Sequence, residues 1–189
     1  RQNLDMLHTT VTANRADAGT GGGIFATAQT TMTLVNSIVA ANLATNAQEI
    51  SSVDDVTVNF SLIGDQPGKS AGATLISGTG GLITDTDPLF GSLADNGGST
   101  QTHALGAGSP AIATADVTGS GSSSNMPSND QRGDGFPRVR DGSPDLGAVE
   151  YIASSGGGGG SGALGWPGIL FGLIFVTWRR LKSKLQIES

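Results

Sequence analysis

Apolar and polar residues alternate in short stretches over the first third of the chain, and these stretches resemble one another. Residues 4–16 align with residues 32–44 at an offset of 28 positions, and residues 32–39 align with residues 56–63 at an offset of 24. An apolar residue at every second position is typical of β-strands and not of helices. The pattern therefore predicts strands that recur about every two dozen residues.

The aligned stretches agree in chemistry column by column. Four columns are mainly apolar: Leu4, Met32 and Val56; Met6, Leu34 and Val58; Thr10, Ile38 and Leu62; Val11, Val39 and Ile63. Thr9, Ser37 and Ser61 share a hydroxyl column, and Asn14 and Asn42 share a turn position.

Strands that recur without a helical crossover can stack turn on turn, so that like residues lie on like residues. An Asn at a fixed turn can then form a hydrogen-bonded ladder with its equivalents. We therefore expect an all-β fold, with residues 1–84 forming about three rungs of a right-handed parallel β-helix. A β-sandwich fits the composition but does not explain the columns.

Charge and composition restrict the classes of function that the chain can have. Only 14% of the 189 residues are charged, and Gly, Ser, Thr, Asn and Ala take their place, which suits short strands joined by tight turns. Residues 1–162 carry a net charge of −9 and residues 163–189 a net charge of +3. The acidic larger part repels nucleic acid, so we expect no nucleic-acid partner. The chain has no cysteine, which excludes a disulfide framework.

From Asp85 onward the repeat fades and a series of short motifs begins. They are DPLF at 87–90, NGG at 96–98, THAL at 102–105, GSPAI at 108–112, DQRG at 130–133 and DLGAVE at 145–150. Together they resemble the C-terminal part of the choice-of-anchor Q domain of bacterial surface β-helix proteins. The resemblance implies a loop-rich C-terminal cap over residues 85–152. The family continues after Ala111-Ile112 with Asp or Asn and then Gly, whereas this chain has Ala113-Thr114-Ala115.

The tail combines a spacer, an apolar run and a basic end. Residues 153–162 form a Gly/Ser linker, and residues 163–178 are apolar. As a helix, the apolar run would measure about 24 Å at roughly 1.5 Å per residue. A comfortable membrane span needs roughly 20 residues, so this segment of 16 is short. By the positive-inside rule, the basic residues hold the C-terminal end in the cytoplasm and place the rest of the chain outside. The membrane-segment residues are Ala163, Trp166, Trp178, Arg179, Arg180, Lys182 and Lys184.

This tail resembles the GlyGly-CTERM sorting signal of Gram-negative bacteria. The resemblance implies cleavage by a rhomboid-type intramembrane serine protease (rhombosortase), followed by export to the cell surface with the type II secretion machinery. The processing residues would be Gly156, Gly157, Gly158, Gly159, Gly160 and Ser161. A permanent C-terminal membrane anchor is the alternative. Because the chain starts at Arg1 within a strand-like pattern, we expect it to be the C-terminal piece of a longer exported protein.

Several carboxylates could carry chemistry. Asp54, Asp55 and Asp65 flank the third rung, but they fall in turns, where Asp ordinarily bonds its own backbone. We therefore expect no catalytic site in this chain.

The aspartates of the closing motifs are candidates for a calcium site. Its candidate ligands are Asp130, Asp134, Asp141 and Asp145, which lie within 16 residues among glycines. The alternative is a set of ion pairs that pin the closing segment: Asp130 with Arg132, and Asp145 with Arg138 or Arg140. We expect no other cofactor.

The two histidines carry no catalytic pattern. His103 stands alone, without a Ser–His–Asp or Cys–His arrangement, and we expect a structural role. His8 shares its column with Asn36 and Phe60, which predicts a place on a strand face.

These observations favour an exported, surface-displayed structural or adhesive protein. Its ligand would be a surface polysaccharide or another protein. The alternative is the C-terminal part of a polysaccharide-degrading, pectate lyase-like enzyme whose active site lies upstream.

Overall fold

The structure, a computed structural model, describes residues 2–64, 70–71, 75–78, 80–84, 86–117, 126–140 and 142–153. It divides into two units, Arg1–Ala153 and Ser154–Ser189. The second unit lies outside the described residues, and with it most of the predicted linker, the glycine run, the apolar segment and the basic end.

The described part is all-β, as predicted, and contains no helix within the ranges given above. Its strands are β1 (Gln2–Leu7), β2 (Thr10–Thr12), β3 (Arg15–Thr20), β4 (Ile24–Ala26), β5 (Thr30–Val35), β6 (Ile38–Ala40), β7 (Leu43–Asn46), β8 (Ile50–Ser52), β9 (Val56–Asn59), β10 (Ser61–Ile63), β11 (Ser70–Ala71), β12 (Leu75–Ser77), β13 (Leu82–Thr84), β14 (Phe90–Ala94) and β15 (Thr102–Leu105). We call residues 2–84 the repeat region and residues 86–153 the C-terminal segment.

Strands of successive repeats pair in parallel. One sheet has the order β1-β5-β9-β12, a second β13-β10-β6-β2 and a third β11-β8-β4, while β3 pairs with β7. Leu4 lies opposite Met32 and Met32 opposite Val56, which confirms the predicted column. The alignment of residues 32–39 with 56–63 is likewise confirmed by the pairing of β5 with β9 and of β6 with β10.

A fourth set of strands extends the expected three repeats. β12 pairs with β9, and β13 pairs with β10, each in parallel. The spacing explains why the alignment missed them: Leu75 follows its partner Val56 by 19 positions, and Leu82 follows Ser61 by 21. Shorter turns of unequal length break the offset on which a repeat search depends.

Two side-chain ladders connect neighbouring repeats. Thr9 N donates to Ser37 Oγ at 3.1 Å, and Ser37 N donates to Ser61 Oγ at 2.9 Å. Asn14 donates to Asn42 Oδ1 from its backbone N at 3.1 Å and from its side-chain Nδ2 at 3.0 Å. The predicted Asn ladder is therefore confirmed.

The prediction that His8 lies on a strand face is wrong. Each of the three equivalent residues lies between two consecutive strands of the chain and has a positive φ: 45° at His8, 50° at Asn36 and 42° at Phe60. Each occupies a left-handed turn that redirects the chain from one sheet to the next. An aligned column identifies equivalent positions, but it does not distinguish a strand from the corner between two strands.

The second sheet separates two apolar clusters. Val39 and Ile63 face a core that also contains Met32, Leu34 and Val56. Their neighbours in sequence point to the opposite face, because successive strand residues alternate.

On that opposite face the C-terminal segment covers the sheet. Ile38, Ala40 and Leu62 pack there against Leu105, Ala111, Ala115 and Leu146. The segment predicted as a cap thus lies along the side of this sheet.

Candidate functional site: a buried charge network beside an open groove

The C-terminal segment contains a single described hairpin, β14 with β15, paired antiparallel. Asn96 fastens the hairpin, because its side-chain Nδ2 donates to Thr102 O at 2.7 Å. Gly98 has φ of +83°, and a Cβ there would lie 2.6 Å from backbone atoms of Arg132. Glycine is therefore required where the hairpin loop meets the Arg132 backbone.

Asp130 and Arg132 form the predicted ion pair. Arg132 Nη2 lies 2.5 Å from Asp130 Oδ2, and both side chains are buried. Arg132 Nη2 also donates to Glu150 O at 2.8 Å, and its guanidinium lies 4.2 Å from the centre of the Phe136 ring. Glu150 N donates to Asp130 Oδ2 at 2.9 Å. The pair thus joins the DQRG motif to the end of the DLGAVE motif.

The predicted pairing of Asp145 with Arg138 or Arg140 is wrong. Arg138 Nη1 instead lies 3.0 Å from Glu150 Oε1, with both side chains buried. The Asp145 carboxylate accepts from two backbone amides, Ala113 N at 2.7 Å and Tyr151 N at 2.5 Å. Two amides satisfy the buried carboxylate without a cation, which leaves Arg138 for Glu150. We call Asp130, Arg132, Arg138, Asp145 and Glu150 the buried charge network.

The pKa values of three groups in and beside this network are shifted. Burial raises the pKa of Glu150 to about 7, although the hydrogen bond from Asp145 N and the charge of Arg138 act in the opposite direction. Burial also lowers the pKa of His8 to about 4, and the positive charge of Arg138 adds to that shift. At Asp130, burial acts to raise the pKa, but hydrogen bonds from Arg132 and Glu150 outweigh it and hold the pKa below its usual value.

Asn36 connects the repeat region to the C-terminal segment. Asn36 is fully buried, and its Nδ2 lies 3.1 Å from both His8 Nε2 and Asp116 O. Asp116 N donates to Asn36 Oδ1 at 2.8 Å, and Gly147 N donates to Asn36 O at 2.8 Å. One turn residue of the repeat region therefore fixes two separate parts of the C-terminal segment.

An open groove of about 560 Å³ runs beside β2. One wall is formed by residues 10–14, and the other by Leu93, His103 and Val149 of the C-terminal segment, among others. We call this the end groove. His103 Nδ1 donates to Gly91 O at 2.8 Å, and this hydrogen bond holds the ring in place.

The calcium candidates do not converge in the described part of the chain. Asp130 and Asp145 are occupied by the contacts above, while Asp134 is exposed and accepts from Asn129 Nδ2 at 3.2 Å. Asp141 lies outside the described residues. Among the described residues, no cluster of three or more His, Cys, Asp or Glu side chains is placed to hold a metal ion.

The turn aspartates take different places. Asp54 Oδ2 accepts from Thr30 N at 3.1 Å, a contact between neighbouring repeats. Asp54 and Asp55 also line a cleft of about 360 Å³ with residues 29–31. Asp65 lies outside the described residues.

No helix that could cross a membrane is found in the part of the chain that the structure describes. The predicted processing and membrane-segment residues from Gly156 to Lys184 all lie outside that part. Comparison with protein-family models, curated proteins and solved structures finds no match to this chain.

The sequence did not identify two residues that join distant parts of the chain, Asn36 and Glu150. Asn36 contacts Asp116 across 80 positions, and Arg138 contacts Glu150 across 12. One signal was available, since Asn36 is a polar residue between the apolar pairs Leu34-Val35 and Ile38-Val39, and a buried polar side chain needs a hydrogen-bond partner. Glu150 carried the simpler signal of an acidic residue directly after the apolar stretch that ends at Val149.

Proposed function

We propose that this chain belongs to a structural or adhesive protein displayed on a bacterial surface. In this proposal residues 1–84 form a right-handed parallel β-helix, and the C-terminal segment closes its side as a choice-of-anchor Q type domain. The coil serves as a stiff, acidic stalk, and it is exported behind a processed C-terminal sorting signal.

The observation that carries the proposal is the register. Equivalent residues of successive repeats lie opposite one another in the sheets that contain β1, β2 and β4. Chain that returns to the same sheets at each repeat, always in parallel, is the arrangement expected of a stacked coil. Such a coil resists bending because each turn is bonded to the next along its whole length.

The C-terminal segment supports the resemblance to the choice-of-anchor Q domain. Residues from separate motifs meet in one place: Asn96 and Gly98 of NGG, Arg132 of DQRG and Glu150 of DLGAVE. Because the three motifs contact one another in the folded chain, there is a structural reason for them to occur together in one domain. The contact of Asp54 with Thr30 supports a structural role for that aspartate.

The sorting proposal rests on the order of linker, apolar run and basic end. Glycines lack Cβ, so a chain that a protease must draw out unwinds there at little cost. The basic residues resist transfer through the bilayer and hold the segment in place. Processing should remove the apolar run and leave a mature surface protein that ends near the glycines.

Intact-mass measurement of the surface-released protein tests the sorting proposal. We expect a mass that excludes residues 163–178, and Arg179→Glu with Arg180→Glu should leave uncut precursor in the inner membrane. Arg15→Glu with Lys69→Glu makes the same charge change at sequence positions outside the tail and should be processed normally. A released protein whose mass includes the apolar run would identify a plain anchor and overturn the sorting proposal.

A further inference from the structure

The loop of the β14–β15 hairpin contains an Asn-Gly dipeptide, Asn96-Gly97, which occurs once in the sequence. Asn-Gly is readily deamidated in flexible chains, because glycine has no Cβ to obstruct its own backbone N. In this reaction Gly97 N attacks Cγ of Asn96, the Cγ–Nδ2 bond breaks, and ammonia leaves with the proton of the attacking amide. Water then opens the resulting succinimide and yields Asp or isoaspartate at position 96.

The fold has a use for both residues of this dipeptide. Gly97 has φ of +95°, and a Cβ there would lie 2.4 Å from Cζ of Phe136, so no other residue fits this position without strain. Asn96 Nδ2 lies 2.7 Å from Thr102 O, 3.1 Å from Thr102 Oγ1 and 3.3 Å from Ala94 O. The hairpin therefore contains a chemically labile dipeptide for structural reasons.

The contacts of Asn96 hold the nitrogen that would leave. Attack converts Cγ of Asn96 from planar to tetrahedral, which moves Nδ2 out of the plane in which it meets its acceptors. Thr102 is buried, so a hydrogen bond lost there is not replaced by one to water. The closed hairpin therefore raises the barrier to deamidation.

The attacking nitrogen is held as well. Gly97 N donates to Oδ1 of Asp95 at 3.0 Å. This nitrogen attacks only after it has lost its proton, and the negative Asp95 carboxylate beside it disfavours the amide anion. Both reacting groups, Gly97 N and the Asn96 carboxamide, are thus constrained while the hairpin is closed.

Deamidation would remove the contacts that close the hairpin. A carboxylate at position 96 is a negatively charged acceptor, and it would face the carbonyl oxygens of Ala94 and Thr102, to which Nδ2 now donates. Isoaspartate also adds one carbon to the backbone at this point. That carbon would displace Gly98, whose Cα lies so close to the Arg132 backbone that a Cβ would come within 2.6 Å of it.

We propose that Asn96 is a modification site, deamidated by attack of Gly97 N when the β14–β15 hairpin opens and protected while the hairpin is closed. Local opening of a hairpin is ordinarily reversible. Deamidation makes it irreversible, because the product no longer packs the loop against Arg132. The extent of modification therefore records how often the hairpin has opened. This inference rests on the hairpin geometry and does not depend on the proposed coil or on the sorting signal.

Mass spectrometry of the digested full chain measures the rate, since chromatography separates the Asn, Asp and isoaspartate forms of the peptide that contains position 96. In detergent solution at mildly alkaline pH, deamidation should be at least about tenfold slower than in denaturant. Asp95→Ala frees the attacking amide and should raise the rate in the folded chain at least about threefold, with little change in denaturant. Asp87→Ala is the matched control, because Asp87 Oδ1 accepts from Leu89 N at 2.8 Å in the same local arrangement outside the loop. Its rate should stay unchanged.

Two results would overturn the protection by the fold. One is an equal rate in the folded chain and in denaturant. The other is an unchanged rate in Asp95→Ala, whether or not the amides of β14 and β15 stay protected from hydrogen exchange. Asp95→Asn keeps the acceptor and removes the charge, so its rate should lie between those of the unmodified chain and Asp95→Ala.

Asn96→Asp tests the effect of the product. Amide hydrogen exchange in β14 and β15 should become at least about tenfold faster in this variant, because position 96 no longer donates within the hairpin. Asn3→Asp makes the same change at an exposed strand position and should leave exchange in the hairpin unchanged. Unchanged exchange of the hairpin amides in Asn96→Asp would contradict the irreversible opening.

Discussion

Different kinds of contact stabilise the repeat region and the C-terminal segment. In the repeat region, parallel strands and neutral ladders such as Ser37 to Ser61 recur from turn to turn. The C-terminal segment has one described hairpin, and buried ions such as Arg132 and Asp130 hold it. Among the described residues of the repeat region, Glu49 departs from this pattern, because it is a fully buried carboxylate that accepts from Asn42 Nδ2 at 2.6 Å.

The difference follows from the backbone. A repeated strand satisfies its polar groups on its neighbours, so small hydroxyl and amide side chains suffice to join the turns. An irregular segment must find a partner for each buried amide and carbonyl separately, and a carboxylate or guanidinium can serve several at once. Arg138 illustrates this, since it donates to Gly147 O, Ala148 O and Glu150 Oε1.

The largest effect should come from removing that arginine. Arg138→Met should lower the free energy of unfolding by about 4 kcal/mol, because Gly147 O, Ala148 O and Glu150 Oε1 all lose their buried charged donor. In this variant, amide hydrogen exchange should become faster in the C-terminal segment than in the unmodified chain, with a smaller increase in β5 and β9. Denaturant unfolding of the full chain measures the loss.

An exposed ion pair provides the control. Arg15 and Asp17 also form a pair, but their side chains are 68% and 74% exposed. Arg15→Met should therefore change stability by less than about 1 kcal/mol. Equal losses from the two substitutions would contradict the role given to buried charge.

A smaller effect should come from breaking a ladder. Asn42 is fully buried, accepts from Asn14 and donates to Val11 O and Glu49 Oε2. Asn42→Ala should cost about 3 kcal/mol, because several buried groups lose partners. Asn14→Ala removes the exposed end of the same ladder and should cost about 1 kcal/mol or less. A larger loss of stability from Asn14→Ala than from Asn42→Ala would contradict this prediction.

The repeat region was predictable because its signal is periodic. The columns of Leu4, Met32 and Val56 and the Asn14–Asn42 ladder follow from sequence spacing alone. Adjacent groups within a motif, such as Asp130 and Arg132, were predictable because they lie two residues apart.

The contacts between distant segments were not predictable in this way. The placement of the C-terminal segment on the outer face of β6 depends on Asn36 and Asp116, which no period relates. Likewise, Asp145 and Glu150 are both acidic residues of one motif. Only their distances to backbone amides decide which of them receives Arg138.

The smallest effect concerns pH, where two buried groups oppose each other. The pKa of His8 is lowered from 6.5 to about 4, so the unfolded chain binds more protons between those values, and stability rises with pH. The pKa of Glu150 is raised from 4.5 to about 7, so the folded chain binds more protons, and stability falls as pH rises. Their contributions should largely cancel between pH 4.5 and 6.5.

Single substitutions should reveal each contribution. His8→Asn introduces the residue that the next repeat has at the same turn, Asn36. In this variant only the Glu150 contribution remains, so the free energy of unfolding should fall by about 2 kcal/mol as pH rises from about 4.5 to 6.5. Glu150→Gln should leave stability rising by a similar amount. Denaturant unfolding at several pH values measures both slopes, and slopes of the same sign in the two variants would contradict the opposition.

Cysteine cross-linking tests the parallel coil most directly, because the chain contains no cysteine of its own. Asp5, Thr33 and Thr57 lie opposite one another in successive strands. Neighbouring strands are about 4.8 Å apart, within reach of a disulfide, whereas strands two apart are not. Asp5→Cys with Thr33→Cys, and Thr33→Cys with Thr57→Cys, should therefore form intramolecular disulfides on mild oxidation, while Asp5→Cys with Thr57→Cys should not. Efficient cross-linking of the last pair, or of none, would contradict the stacked parallel register.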